Sequence, residues 1–112
     1  MSDCIFCKIA DGTVPVKLLH EDADVVAFAD LHAQAPTHAL IIPRRHIASL
    51  DQLDDAALGG RLLATATTLA RTLGVAESGY RVVTNTGADA GQSVHHLHLH
   101  LLGGRALGWP PG

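Results

Sequence analysis

The sequence predicts a single α+β domain built on an antiparallel sheet. Short apolar runs outnumber helical patterns, one long segment has helical periodicity, and the connections between the runs are mostly hairpin-like. The length of 112 residues suits one domain over residues 1–112. An apolar fraction of 47% with 17% charged residues is typical of a globular chain.

The first elements are a short helix and a hairpin. Residues 3–10 are expected to form one or two helical turns, with Asp3 as the N-cap and Gly12 near the end. Residues 17–21 and 25–28 flank an acidic turn, and this arrangement predicts two paired strands.

One long helix and further strands follow. A strand is predicted over residues 38–42, where Pro43 ends it because proline cannot donate to a sheet ladder. Apolar residues in 51–73 recur at steps of three or four, which indicates a helix, and Gly74 is a natural stop. The β-branched run at 80–85 predicts another strand.

Charge and composition exclude several classes of protein. Eight Lys and Arg against eleven Asp and Glu give a net charge of −3, which argues against a nucleic-acid partner. The N-terminus has no signal-peptide pattern, and no apolar run could span a bilayer, so a cytoplasmic protein without membrane contact is expected. Two cysteines in such a setting are thiols or metal ligands rather than a disulfide framework.

Four of the eight histidines lie within residues 95–100, and three of them alternate with leucine. A strand over residues 94–102 would place His96, His98 and His100 on one face and the leucines on the core face. The histidines could be the polar face of an edge strand, zinc ligands, or a catalytic group in which an imidazole attacks an electrophile.

The loop before these histidines favours the catalytic interpretation. Gly87 and Gly91, with Asn85, Gln92 and Ser93, offer backbone N–H groups and short polar side chains that suit a phosphate. The chain has no phosphate-binding G-x-x-x-x-G-K-[ST] motif. The loop and the neighbouring histidines together indicate phosphoryl chemistry. Covalent attack by histidine on phosphorus needs no metal.

These motifs resemble the histidine triad family. The stretch HLHLHLL at residues 96–102 matches the pattern His-φ-His-φ-His-φ-φ, in which φ is apolar. GQSV before it and GGR through WPPG after it are similar to the Hint branch, the histidine triad nucleotide-binding proteins. CIFCKI, AFAD, APTH and IPRRH continue the resemblance, in order, over nearly the whole chain.

The resemblance implies a fold and an activity. The expected fold is a five-stranded antiparallel sheet with one long and one short helix, and two subunits pairing into a ten-stranded sheet as a homodimer. The expected function is a purine nucleotide-binding hydrolase that cleaves the P–N bond of nucleoside 5′-phosphoramidates, or acyl-adenylates, through a nucleotidyl-histidine. Its ligand would be a purine nucleoside monophosphate or phosphoramidate.

Four catalytic positions carry over from the resemblance. His98 would be the nucleophile, and His100 would contact the phosphate. Ser93 would bond at the phosphate or the leaving group. His38 would support the nucleophilic imidazole from a neighbouring strand.

The nucleotide-binding positions implied by the resemblance surround the phosphate, ribose and base. His98, His100 and Ser93 belong to this set as well. Trp109 would reach the site of the partner subunit in the expected dimer. The other positions are Asn85, Gly91 and Gln92 at the phosphate and ribose, Asp30 and Leu31 at the sugar, and Phe6, Ile9 and Phe28 at the base.

The spacing Cys4-x-x-Cys7 suits zinc, although two small buried thiols would explain it too. The resemblance implies a structural zinc site, not required for catalysis, made by Cys4, Cys7, His46 and His96. His95 is an alternative ligand beside His96.

Two other functions stay open. One is a dinucleoside polyphosphate hydrolase acting on a P–O–P bond. Ser93 and the tail at Trp109 favour the phosphoramidase over this alternative. The other is a nucleotide- or zinc-binding regulatory module with incidental catalysis. Formation of a nucleotidyl-histidine separates this module from an enzyme.

Overall fold

An antiparallel five-stranded sheet is the frame of the protein, of which a computed structural model describes residues 3–112. Residues 1 and 2 of the predicted domain 1–112 lie outside the described residues. The strand order is β1-β2-β3-β5-β4, with β1 Leu18–Glu21, β2 Val25–Ala29, β3 Thr37–Pro43, β4 Tyr80–Val83 and β5 Leu99–Gly103. One short helix, α1 at Ile5–Ala10, and one long helix, α2 at Ala56–Thr72, confirm the predicted α+β class.

Helix α1 begins one residue later than the sequence suggests. Its N-cap is Cys4 rather than Asp3, because the Cys4 sulfur accepts a hydrogen bond from the Cys7 backbone N–H at 3.4 Å. The expected glycine follows its end, since Gly12 adopts a φ of 84° that a side chain would disfavour.

The predicted helix over residues 51–73 is too long at its start. A short 3-10 turn occupies Leu50–Gln52, and α2 begins only after Asp55. The Asp55 carboxylate accepts the Leu58 backbone N–H at 3.0 Å, so this side chain caps the helix there. Gly74, with a φ of 79°, follows the C-terminus as predicted.

The sheet is buried on both faces by different elements. Helix α2 covers one face, where its apolar side pairs with the leucines at 97, 99 and 101. The first helix covers part of the other face, around Phe6, Phe28 and Leu40. The alternating leucines therefore do supply core, and the histidines between them face the α1 side.

Two strand predictions are corrected in length. The strand expected over residues 94–102 begins only at Leu99, because the Leu97 N–H bonds to the Ile47 carbonyl at 2.6 Å, outside the sheet ladder. The strand expected over 80–85 ends at Val83, and the Thr84 hydroxyl then donates to the His98 carbonyl at 2.9 Å. Within residues 3–112, no helix combines the length and apolarity needed to cross a membrane.

Candidate functional site

A cavity of about 450 Å³ opens on the α1 side of the sheet, beside the histidine segment. Phe6, Ile9 and Phe28 form a buried apolar wall, with the two phenylalanine rings edge to face at 5.5 Å. Asp30 and the almost fully exposed Leu31 lie at its rim. The cavity is thus apolar inside and polar where the histidines enter it.

His98 lines this cavity in a defined tautomer. Its Nδ1–H donates to the backbone carbonyl of His96 at 2.7 Å, so in the neutral ring Nε2 carries the lone pair. The Phe6 ring packs against the imidazole with centroids 5.1 Å apart. Within residues 3–112, Nε2 has no hydrogen-bond partner, and an orientated imidazole of this kind can act as a nucleophile.

The ring of His38 contacts His100 across the sheet, and its expected support of the nucleophilic imidazole stays a prediction. The Gln34 backbone N–H donates to His38 Nδ1 at 2.9 Å, so the proton of the neutral ring lies on Nε2. Nε2–H then faces His100 Nδ1 at 2.9 Å and an Asp30 carboxylate oxygen at 3.3 Å. The strand register explains the contact, because His38 lies diagonally across from His100.

His100 is neutral, and its single ring N–H is on the cavity side. Since Nδ1 accepts from His38, the neutral ring carries its proton on Nε2. Burial lowers the pKa of His100 to about 4, His98 and His38 add to the effect, and Asp30 opposes it. A neutral donor at this position suits a phosphoryl oxygen.

Other predicted binding residues lie apart from the cavity lining. Ser93 lines it, but Asn85, Gly91 and Gln92 do not. The Gln92 side chain ties its loop together, since its amide donates to the Ala48 and Val94 carbonyls at 2.8 and 3.0 Å and its oxygen accepts the Gly87 N–H.

Trp109 is likewise absent from the lining of this cavity. Its side chain is 82% exposed and stacks under the Arg81 guanidinium, whose central carbon is 5.9 Å from the ring. The expected reach of Trp109 to a partner subunit stays a prediction.

Sequence reasoning missed part of the cavity wall. Four of them lie in predicted helices or strands that were given no role in binding, and no pattern marks the other two. Only the tertiary packing around the cavity brings these residues together. They are Ile5, Val16, Lys17, His32, Leu40 and Val94.

The four residues predicted to bind zinc do form a cluster. Their donor atoms all lie within 4.8 Å of one another, with Cys4 Sγ 3.3 Å from His96 Nδ1 and Cys7 Sγ 3.3 Å from His46 Nδ1. Two sulfurs and two imidazole nitrogens are a donor set that tetrahedral Zn²⁺ accepts.

Protonation in the cluster also fits a metal. His96 Nε2–H donates to the Pro43 carbonyl at 2.8 Å, which leaves Nδ1 unprotonated and directed at the sulfurs. Burial, together with the Cys4 thiol, raises the pKa of Cys7, so a metal would have to displace its proton. His95 is exposed and stands outside the cluster.

A second group, made of Asp30, His38 and His100, also has its donor atoms within 4.8 Å of one another. It does not fit a metal. The Gln34 N–H occupies His38 Nδ1, so His38 Nε2 must carry a proton and cannot coordinate. This group is a chain of hydrogen bonds and not a metal centre.

Comparison with known proteins agrees with this geometry. The HIT domain family matches residues 11–107. An uncharacterised HIT-like protein of Synechococcus elongatus is 48% identical over 112 residues, covering 98% of this chain and 97% of that protein.

Two solved structures are similar. The HIT family hydrolase of Legionella pneumophila Philadelphia 1 is 48% identical with a TM-score of 0.95, covering 98% of this chain and 100% of that one. The histidine triad nucleotide-binding protein of Candida albicans is 35% identical with a TM-score of 0.84, over 96% and 83% of the two chains. With the last histidine of its triad on β5 and a family match over residues 11–107, the chain belongs to the HIT domain family.

Proposed function

We propose that the protein is a purine nucleotide-binding hydrolase that cleaves the P–N bond of nucleoside 5′-phosphoramidates through a covalent intermediate on His98. The observation that carries the proposal is the bond from His98 Nδ1–H to the His96 carbonyl, which leaves Nε2 free at the cavity wall. The similarity to a HIT family hydrolase supports hydrolysis as the reaction type.

The size and lining of the cavity support the proposed nucleotide binding. The wall of Phe6, Ile9 and Phe28 would take a purine base by apolar contact, which reads shape more than hydrogen bonds. Asp30 at the rim would accept hydrogen bonds from the ribose hydroxyls. A cavity of about 450 Å³ is within the usual range for a small-molecule site.

The first step forms the intermediate. His98 Nε2 attacks phosphorus, the P–N bond of the substrate breaks, and the amine leaves with a proton taken up from solvent. The imidazole becomes positively charged, and this charge strengthens the hydrogen bond that Nδ1–H donates to the His96 carbonyl. His100 Nε2–H and Ser93 would donate to the phosphoryl or leaving group.

The second step restores the enzyme. Water attacks phosphorus, the P–Nε2 bond breaks, and its electron pair returns to His98. The proton that the water loses goes to solvent, which balances the proton taken up by the amine. The products are a nucleoside monophosphate and neutral His98. An acyl-adenylate would follow the same course, with a carboxylate as the leaving group.

We also propose that Cys4, Cys7, His46 and His96 bind zinc. The ion would supply no reaction step. It would instead crosslink α1 to the segments that carry His46 and His96.

A homodimer is proposed on separate grounds. Strand β4 is an edge of the sheet and can pair with a second copy to give ten strands. An apolar cavity of about 360 Å³ lies beside that edge, with Leu50 and Leu63 among its residues at 47% and 58% exposure.

The test is mass spectrometry of the protein mixed rapidly with adenosine 5′-phosphoramidate and quenched. We expect an AMP adduct on His98. Binding of AMP with neither adduct nor turnover would contradict the proposal and support a binding module. A parallel assay with a dinucleoside polyphosphate distinguishes the P–O–P hydrolase.

A further inference from the structure

Arg105 lies just after β5 and holds one backbone carbonyl with two of its nitrogens. Nε and Nη2 donate to the Gln34 carbonyl at 3.2 and 2.9 Å, and Nη1 donates to the Ala106 carbonyl at 2.9 Å. The residue is exposed, so this fork is not a by-product of core packing. A planar guanidinium that donates twice to one oxygen fixes the position of that oxygen.

The residue held by Arg105 is the one that determines the tautomer of His38. Gln34 accepts from Arg105 through its carbonyl and donates through its N–H to His38 Nδ1 at 2.9 Å. From there the chain of hydrogen bonds runs through His38 Nε2–H to His100 Nδ1 at 2.9 Å. An exposed arginine is thus three hydrogen bonds from the triad.

A second contact holds the same loop from the same side. Gly104 has a φ of 90°, and a Cβ built on it would lie 2.9 Å from the Pro36 Cβ. Its neighbour Gly103 pairs with Thr37 across the sheet. The end of β5 and the loop over residues 31–36 therefore form one packed unit.

We propose that Arg105 is a positioning residue for the triad: it holds Gln34 so that His38 presents Nε2–H and His100 retains its own Nε2–H for the phosphoryl group. The inference rests on the proposed function for its catalytic consequence and on geometry alone for its structural one. Arg105 itself does not line the cavity.

Loss of the fork has a defined consequence. A released Gln34 no longer keeps its N–H on His38 Nδ1, and the neutral ring can then carry its proton there. His38 Nε2 would accept rather than donate, and His100 would have to place its proton on Nδ1. His100 Nε2 would then be unprotonated and could not donate to phosphate.

The experiment measures ring tautomers directly in the full chain, by ¹⁵N NMR of the histidine side chains. Wild type should show the Nε2–H tautomer for His38 and His100, and R105M should show a mixture with the Nδ1–H form. R105K, which retains a donor without the fork, should lie between them. The control is R61M, on an exposed arginine of α2 whose ion pair is with Asp24. Tautomers in R105M identical to wild type would overturn the proposal.

Kinetics provides the second readout. R105M should lower kcat for a phosphoramidate about three- to tenfold, as expected from one lost hydrogen bond, with KM nearly unchanged. R105K should recover part of the loss, and R61M should match wild type. A rise in KM alone would contradict positioning. If wild type forms no adduct and has no turnover, the proposed function fails while the tautomer measurement still decides the role of Arg105.

Discussion

The backbone carbonyl of His96 accepts the Nδ1–H of His98 at 2.7 Å, while the ring of His96 faces the cysteines. One residue therefore belongs to two sites. Its carbonyl orients the candidate nucleophile, and its side chain completes the candidate metal cluster. Any change that loosens the His96 ring should also disturb the orientation of His98.

Replacing His98 by asparagine should abolish turnover and keep the fold. An asparagine amide can still donate to the His96 carbonyl, but it has no nucleophilic nitrogen. We expect turnover of a phosphoramidate to fall about a thousandfold or more, with AMP binding retained by calorimetry. H95N is the matched control, because His95 is exposed and outside both sites. Full activity in H98N would remove His98 from the mechanism.

Removing the metal cluster should destabilise the protein. C7S deletes one of the four donors, and we expect bound zinc to fall and the free energy of unfolding to drop by about 3 kcal/mol or more. Elemental analysis and denaturant unfolding measure the two quantities. Wild type purified without chelator yet free of zinc would contradict the metal proposal.

The neutral state of His100 predicts a pH dependence of stability. Its pKa is lowered from 6.5 to about 4, so between these values the unfolded chain binds the proton that the folded chain rejects. The contribution of neutral His100 to the free energy of unfolding is therefore complete above pH 6.5 and is lost as the pH falls towards 4. An NMR titration of the ring gives the pKa directly, and H100Q should weaken the loss of stability between pH 7 and 5. Titration of His100 near 6.5 would contradict this.

The leucines of the triad segment should matter for stability and not for chemistry. Leu97 is 1% exposed and packs in the core under α2, so L97A should lower the free energy of unfolding by about 2–5 kcal/mol. L31A is the comparison, since Leu31 is 94% exposed and should cost less than about 0.5 kcal/mol. Denaturant unfolding of the two variants checks both values; equal losses would show that Leu97 is not core.

The proposed dimer predicts the effect of a charge at its apolar patch. L63R places a cation beside Leu50 and the edge strand β4, which should convert the dimer to a monomer. Light scattering after gel filtration measures the mass. R71M, near the end of α2, is the control and should remain dimeric. A wild-type chain that elutes as a monomer would contradict the dimer.

Local pattern was enough to predict the fold class and to locate most elements, while the chemistry of the triad stays a prediction. Alternating leucine and histidine determined which side chains face the core, because a strand has a period of two, and helical spacing located α2. The motif also identified the Cys4, Cys7, His46 and His96 group, which the structure brings within 4.8 Å. Element ends were less accurate, since caps such as Asp55 compete with periodicity.

Tertiary structure alone decided how the histidines are protonated. The tautomer of His98 depends on the His96 carbonyl and that of His38 on the Gln34 N–H, both near in sequence. The tautomer of His100 depends on the ring of His38, which is 62 residues away in the chain. The resemblance implied that His38 supports the nucleophile from a neighbouring strand, and the register between β3 and β5 decides that its ring meets His100. No pattern marks Gln34, and the GGR stretch that contains Arg105 does not reveal its partner, because the Gln34 carbonyl meets the guanidinium only after folding.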